Sequence, residues 1–300
     1  QGCSTVMKTN PTKAVLTITI IGGILAVSTA SIFIRFAQGY ASSLAIATLR
    51  LVFASLIIAP FTLIKYRTEL VKLGRRDLLL GLLAGTFLAL HFATWISSLE
   101  YTTIASSVVL VTTTPLWVAL LSPLTLKEPI TRFVLWGMVL AFLGGIVIGF
   151  SDICNWNNGL VCLSPGDFFQ GQAILGDLLA LAGALMAAGY IIIGRRLRAK
   201  TSLIPYIFVV YGMAAIVLIL ITFASGDSLL GLPSQAYFWT LLLAIIPQLL
   251  GHSTFNWALK YLPASLVSIT LLGEPIGSTI LALVILSEIP SVGELFGAAL

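Results

Sequence analysis

Charged side chains are scarce in this 300-residue chain, at 9% of the sequence against 58% apolar residues and a mean hydropathy of +1.06. A soluble domain of this length needs far more charge on its surface. The chain also lacks an acidic pair that could hold a metal and a diphosphate, a glycine-rich phosphate loop, and a Ser or Cys beside a base. These absences argue against an enzyme, and we expect no catalytic residue, no metal and no cofactor.

Long apolar runs make up most of the chain. A helix needs about 20 apolar residues to cross roughly 30 Å of hydrocarbon, and the chain offers nine such runs and a tenth that is cut short at Leu300. We therefore predict an all-α membrane protein with ten transmembrane helices. The predicted spans are residues 14–36, 42–64, 78–98, 104–125, 132–150, 175–194, 203–224, 237–258, 264–286 and 291 onward.

The chain repeats itself at an offset of 160 residues. The recurring pairs are Arg35 and Arg195, Gly23 and Gly183, Tyr101 and Tyr261, Pro115 and Pro275, Glu128 and Glu288, and Gly137 and Gly297. Five spans per copy would give the copies opposite orientations, as in transporters that alternate access around a midplane site. We predict inverted five-helix repeats at 14–150 and 174–300, an N-terminal segment 1–13 and a connection 151–173. By the same offset the tenth helix would end beyond Leu300, so we expect it to be truncated.

Basic residues predict the orientation of these spans. Of the 16 Lys and Arg residues, all but Arg35 and Arg50 lie on alternate connections, and such connections face the cytoplasm. We therefore expect a multi-pass protein of the inner or plasma membrane, with a cytoplasmic N-terminal segment and an extracytoplasmic connection 151–173. The net charge of +5 follows from this topology and indicates no nucleic-acid partner.

Two of the three cysteines, Cys154 and Cys162, lie in that connection. On the extracytoplasmic side they could form a disulfide. Two unlinked thiols are the alternative, and no ligand set accompanies them for a metal.

Glu274 lies near the centre of the predicted ninth span, on one helix face with Thr270 and Ser278. An ionisable group in hydrocarbon costs several kcal/mol unless it is paired or hydrated. We interpret Glu274 as a candidate for binding substrate or a coupling proton. The structural alternative is a carboxyl group that is protonated, or hydrogen-bonded to a neighbouring helix.

Two further polar stripes stand in predicted spans. Gln248, His252 and Asn256 are spaced four residues apart, so they either line a water-filled path or hydrogen-bond between helices. His252 favours the path, because imidazole gains and loses a proton near neutral pH. His91 and Trp95 form a shorter stripe, in which Trp95 could stack on a ring or belong to the interfacial aromatic belt.

The remaining candidates stand singly. Arg50 can snorkel outward along its aliphatic stem, or alternatively meet a substrate carboxylate or a neighbouring acid. Thr114 takes the repeat position of Glu274, and Tyr190 lies in the sixth span. Pro115 and Pro275 stand near the middle of the fourth and ninth spans, where each would free backbone carbonyls and allow a bend.

Residues 106–111 through Pro115 to Glu128 and Pro129, and residues 266–268 through Glu274 and Pro275 to Glu288, resemble the EamA-type repeat of the drug/metabolite transporter superfamily. The resemblance implies ten helices in two inverted repeats. It also implies a central cavity, which here would recruit His91, Thr114, Tyr190, Gln248, His252 and Glu274. The chain departs from the family pattern in its incomplete tenth helix and at Ser42 and Ser43, where many members have proline.

Together these features predict a carrier of small metabolites that works by alternating access, most consistent with an exporter of amino acids or related metabolites. Gln248 and Asn256 would hydrogen-bond the substrate, Tyr190 would contact its apolar part, and Glu274 with His252 would bind its ammonium group or a coupling proton. The expected partners are the substrate, the lipid bilayer and, if transport is coupled, protons. A monomer is sufficient and a dimer stays open. The alternatives are an intramembrane enzyme acting on lipid or isoprenoid intermediates and a non-transporting receptor.

Overall fold

The computed structural model describes residues 11–127, 132–155, 161–162 and 172–300. Glu128, Pro129, residues 1–10 and much of the connection 151–173 therefore lie outside the described residues. The helices are α1 (Lys13–Ser28), α2 (Ala30–Gln38), α3 (Ser43–Lys65), α4 (Arg67–Val71), α5 (Arg75–Ser98), α6 (Ile104–Val111), α7 (Thr114–Thr125), α8 (Arg132–Ile153), α9 (Gln172–Arg198), α10 (Leu203–Ala224), α11 (Ser234–Leu243), α12 (Ser253–Ala258), α13 (Ala264–Thr270), α14 (Gly273–Leu281) and α15 (Val292–Ala299), with π-helices at Ala244–His252 and Ala282–Leu286.

Eight stretches of the described chain are long and apolar enough to cross a membrane. They are Lys13–Gln38, Ser43–Lys65, Arg75–Ser98, Ile104–Thr125, Gln172–Arg198, Leu203–Ala224, Ser234–Ala258 and Ala264–Leu286. The all-helical membrane fold expected from the sequence is thus confirmed. The predicted fifth and tenth spans correspond to α8 and α15, which pack against each other, and a Cβ added at Gly144 would stand 2.5 Å from the carbonyl oxygen of Gly297.

The backbone repeats at the 160-residue offset. Helix α3 begins at Ser43 and α10 at Leu203, and the same offset separates the starts of α6 and α13 and of α8 and α15. Lys127 and Ser287, with φ of 59° and 57°, are the two non-glycine residues with positive φ among those described. Because few non-glycine residues adopt this conformation, its recurrence at equivalent positions supports an internal duplication.

Arg35 and Arg195 also make equivalent contacts. Nη1 of Arg35 donates to the carbonyl oxygen of Leu99, and Nη1 of Arg195 donates to that of Leu259 at 2.9 Å. The two donors are 160 residues apart, and so are the two acceptors. The recurring arginines therefore make the same hydrogen bond in each copy.

Both predicted proline bends fall at helix breaks. Helix α6 ends at Val111 and α7 begins at Thr114, just before Pro115, while α13 ends at Thr270 and α14 begins at Gly273, just before Pro275. Proline lacks an N–H and so cannot donate the backbone hydrogen bond to the preceding turn, which explains why both helices break there.

Side-chain hydroxyls bond the carbonyls at these breaks. In the first copy Thr112, Thr113 and Thr114 donate to carbonyl oxygens one turn back, at 2.7 Å, 2.7 Å and 2.8 Å. In the second copy Thr270 donates to the carbonyl oxygen of Val267 at 2.6 Å. The first break therefore has more local hydrogen bonds than the second.

Cys154 and Cys162 are backbone partners in a two-residue antiparallel ladder of β1 (Cys154–Asn155) and β2 (Val161–Cys162). This register places the two cysteines opposite each other in the ladder. The disulfide between them stays a prediction.

Gly85 marks the close contact between α5 and α10. A Cβ at this position would lie 2.6 Å from the carbonyl oxygen of Val210 and 2.6 Å from the Cβ of Met213. We expect Gly85→Ala to destabilise the protein by about 1 to 3 kcal/mol, because the helices must separate. The midpoint of thermal unfolding in detergent measures this.

The matched control is Gly212→Ala, since a Cβ at this α10 position meets no atom within 4 Å. Alanine favours a helix over glycine, so this variant should keep or raise the midpoint. Equal loss in both variants would contradict the steric explanation.

Candidate functional site

A cavity lies at the centre of the helix bundle, where both copies contribute. Its volume, counted as space open to the centre of a water molecule, is about 40 Å³. One ordered water needs roughly 10 to 15 Å³ by that measure. The cavity in this conformation therefore has room for a few waters, and a metabolite would require it to widen.

Seven of the eight residues predicted to bind substrate line this cavity: His91, Trp95, Thr114, Tyr190, His252, Asn256 and Glu274. The structure thus brings together side chains from five separate stretches of the sequence. Apolar side chains complete the wall, among them Ile191, Phe255 and Leu259. The eighth residue, Gln248, does not line the cavity.

Glu274 contributes the cavity's carboxyl group and is 8% exposed. Among the described residues its carboxyl oxygens have neither a hydrogen bond nor an ion pair, while its backbone oxygen accepts from Ser28 Oγ at 3.5 Å. The alternative in which a neighbouring helix hydrogen-bonds this carboxyl thus has no support in the described chain. Its predicted stripe partners bond backbone oxygens instead, Ser278 that of Ser28 and Thr270 that of Val267.

Asn256 is held by two phenols. Its Oδ1 accepts from Tyr190 Oη at 2.6 Å, and its Nδ2 donates to Tyr211 Oη at 3.2 Å. Tyr211 also lies 3.2 Å from Ser253 Oγ. The amide is fixed in one orientation, and its second N–H can still serve a ligand. Tyr211 was not among the predicted residues, because an isolated tyrosine in an apolar span gives no pattern.

His91 and Trp95 stack on each other, with ring centroids 5.8 Å apart and planes 14° apart. His91 Nδ1 lies 2.9 Å from the carbonyl oxygen of Gly183. A carbonyl oxygen only accepts, so Nδ1 carries the hydrogen and Nε2 of a neutral ring is left as an acceptor. Trp95 is 2% exposed, so the interfacial belt does not describe its position.

Arg50 does not snorkel, and that interpretation is wrong. Its side chain is fully buried, Nε donates to Gln248 Oε1 at 2.9 Å, and the guanidinium lies 4.0 Å from the centre of the Phe92 ring. The bond explains why Gln248 is absent from the cavity wall, since its amide oxygen serves Arg50. The sequence did hold an indication of this, because an ionisable residue inside a span is more often functional than incidental.

The π-helix at Ala244–His252 carries Gln248 and His252. It contains Pro247, which removes one backbone donor, and π-helical turns are frequent at functional sites. A π-helix has more residues per turn than an α-helix. Side chains four residues apart therefore do not follow one straight stripe, and Gln248 and His252 serve different neighbours.

The site offers a carboxyl group, an amide, hydroxyls and imidazoles against apolar walls. Within the described residues no group of three or more His, Cys, Asp or Glu could hold a metal ion. This arrangement suits reversible binding of a small polar molecule with an apolar part.

The EamA-like transporter family matches the chain at residues 14–150 and 174–300. No curated protein matches the sequence. Solved structures also match the chain; one of them, a crystal structure, is similar in fold with a TM-score of 0.68, over 96% of this chain and 94% of that chain. Its sequence identity of 19% limits that likeness to the fold.

Proposed function

The chain belongs to the EamA-like transporter family, and from this premise we propose that it exports amino acids or related small metabolites by alternating access. The observation that carries the proposal is the central cavity, into which both copies contribute polar side chains. Glu274 gives this cavity a carboxyl group that no described residue neutralises by direct contact.

The proposed topology has ten helices in two inverted five-helix repeats, with α8 and α15 as the fifth and tenth. The repeating backbone supports the duplication, and the basic residues on alternate connections support opposite orientations. The N-terminus then faces the cytoplasm, and the protein is a multi-pass component of the inner or plasma membrane. One chain contains both repeats, so a monomer is sufficient for transport.

In this topology the cavity extends toward the cytoplasm. Its wall includes Leu259 and Val267, near the end of the bundle that carries the basic residue Lys260. At the opposite end Glu288 pairs with Arg35 at 3.7 Å and accepts from the backbone N–H of Ile104 at 2.6 Å. These contacts connect the two copies on the outer side, and alternating access requires them to open.

Each wall of the cavity has a proposed role. Asn256 hydrogen-bonds the substrate, Tyr190 with Phe255 contacts its apolar part, and Glu274 with His252 binds its ammonium group or a coupling proton. Gln248 is no longer assigned the substrate hydrogen bond first expected of it, because its amide oxygen already accepts from Arg50.

Counterflow in proteoliposomes tests the proposal. Vesicles containing the purified chain are preloaded with a mixed pool of amino acids and other metabolites, and labelled tracers are followed with and without a pH gradient. We expect saturable accumulation of one class of tracer, and a response to the gradient if protons are coupled. Absence of counterflow by every compound, in protein shown to be folded and inserted, would contradict the proposal and favour an intramembrane enzyme or a receptor.

A further inference from the structure

Arg50 is a fully buried cation with incomplete hydrogen bonding. Nε donates to Gln248, but Nη1 and Nη2 are buried and have no hydrogen-bond partner among the described residues. A guanidinium has five N–H donors, and leaving charged donors unpaired in a span costs several kcal/mol. Four N–H groups of Arg50 thus lack a described partner in this conformation.

The residues around Arg50 hold it in place without neutralising it. Gln248 supplies a neutral oxygen, and Phe92 lies 4.0 Å under the guanidinium. Glu274 is the acid that interacts electrostatically with Arg50, yet no ion pair within 4.0 Å joins the two among the described residues. The hydrogen bond from Nε therefore fixes the orientation of the guanidinium, and Nη1 and Nη2 are left for another partner.

We infer that Arg50 is the carboxylate-binding residue of the transport site, and that Arg50 and Glu274 together select small zwitterions carrying one carboxylate and one ammonium group. This inference rests on the proposed function and specifies its substrate class. The two Nη groups match the two oxygens of a carboxylate in a bidentate pair, while Glu274 accepts the ammonium group.

A series of ring contacts leads from Arg50 to the wall of the cavity. The Arg50 guanidinium contacts the Phe92 ring. The centre of that ring lies 5.2 Å from the centre of the His252 ring, which in turn lies 6.4 Å from the centre of the His91 ring. Both histidines line the cavity, whereas Arg50 and Phe92 do not. Binding at Arg50 therefore requires these rings to part, which links substrate capture to a conformational change.

The test compares three probes in proteoliposome counterflow: leucine, leucinamide, which lacks the carboxylate, and N-acetylleucine, which lacks the ammonium group. In Arg50→Met we expect leucine and N-acetylleucine counterflow to fall roughly tenfold or more, since a charged hydrogen bond contributes about 1.5 to 3 kcal/mol. Leucinamide lacks the carboxylate, so its counterflow in the wild type should be slower than that of leucine; in Arg50→Met it should change less than about twofold, because its recognition uses Glu274. Arg50→Lys, which keeps the charge but loses the fork, should fall between.

The matched control is Arg76→Met, which removes an exposed arginine at the start of α5 and should leave all three probes unchanged. Equal losses for all three probes in Arg50→Met would show a structural role and overturn the inference. A wild-type protein that exchanges only carboxylate-free members of the mixed pool would also overturn it, while leaving the proposed carrier function intact. No counterflow by any compound would overturn both.

Wild-type protein provides a second readout if Arg50→Met does not fold. A ligand that binds the native state raises the unfolding midpoint, by an amount that grows with the ratio of its concentration to its Kd. We expect leucine and N-acetylleucine to stabilise the detergent-solubilised protein more than the same compounds with the carboxyl group amidated. Equal stabilisation by carboxylate and amide forms would overturn the inference.

Discussion

Glu274→Gln is expected to lower counterflow of an ammonium-bearing substrate by roughly 10- to 100-fold, because a charge-assisted hydrogen bond contributes about 1.5 to 3 kcal/mol. Glutamine keeps the shape of the side chain and can still hydrogen-bond, so packing around α14 should survive. What it removes is the carboxyl group that can carry a negative charge or a proton at the cavity. Counterflow rates at several external pH values, with protein quantified in each vesicle preparation, measure the effect.

The pH response separates the two proposed roles of Glu274. If the carboxyl group carries the coupling proton, Glu274→Gln should make counterflow independent of an imposed pH gradient. If it only binds the substrate's ammonium group, the response should persist at a reduced rate. The charge-matched control is Asp77→Asn, which removes an acid from the surface pair with Lys200 at 2.6 Å. An unchanged rate and an unchanged pH dependence in folded Glu274→Gln would show that neither role is correct.

The second large effect is expected for Asn256→Leu. This substitution keeps the approximate volume but leaves Tyr190 Oη and one contact of Tyr211 Oη without their partner. A buried hydroxyl left unpaired costs about 1 to 3 kcal/mol. We expect a lower thermal midpoint and a raised KM for counterflow, because the amide both orders the wall and faces the substrate.

A double-mutant cycle with Tyr190→Phe tests whether these residues act as one network. The Tyr190→Phe variant already lacks the hydroxyl that Asn256→Leu would leave unpaired at residue 190. Asn256→Leu should therefore cost about 0.5 to 3 kcal/mol less in unfolding free energy than it does in the wild type. Additive effects would show that the 2.6 Å bond between Tyr190 and Asn256 contributes no coupling.

The cavity residues could be predicted because polar groups are costly in apolar spans. Glu274, His91 and Asn256 each stand inside a long, predominantly apolar run of the sequence, so their presence needs a partner or a cavity. Pro115 and Pro275 predicted a bend at equivalent positions of the two copies, because proline removes a backbone hydrogen bond wherever it stands in a span; the structure has a helix break at each. Both arguments use only a residue and its neighbours along one span, so a single sequence is enough to make them.

Arg50 and Gln248 could not be placed by local rules. Their hydrogen bond joins residues 198 positions apart, and no periodicity within either helix predicts which side chain lies opposite. The long aliphatic stem of Arg50 favours snorkelling when neighbours are unknown. The π-helix around Gln248 also prevented its placement from sequence, because the prediction that residues four apart share one face assumes α-helical spacing.

Thr114 and Glu274 occupy the same position in the two copies, and both line the cavity. One copy thus presents a hydroxyl where the other presents a carboxyl group. Phe92 and His252 also occupy equivalent positions in the two copies, and their rings contact each other. A scaffold built from two like halves thus encloses walls that differ in chemistry. In the proposed site the substrate is held at its carboxylate, its ammonium group and its side chain. Three such contacts in a chiral site distinguish a molecule from its mirror image, so we expect counterflow of one enantiomer to exceed that of the other.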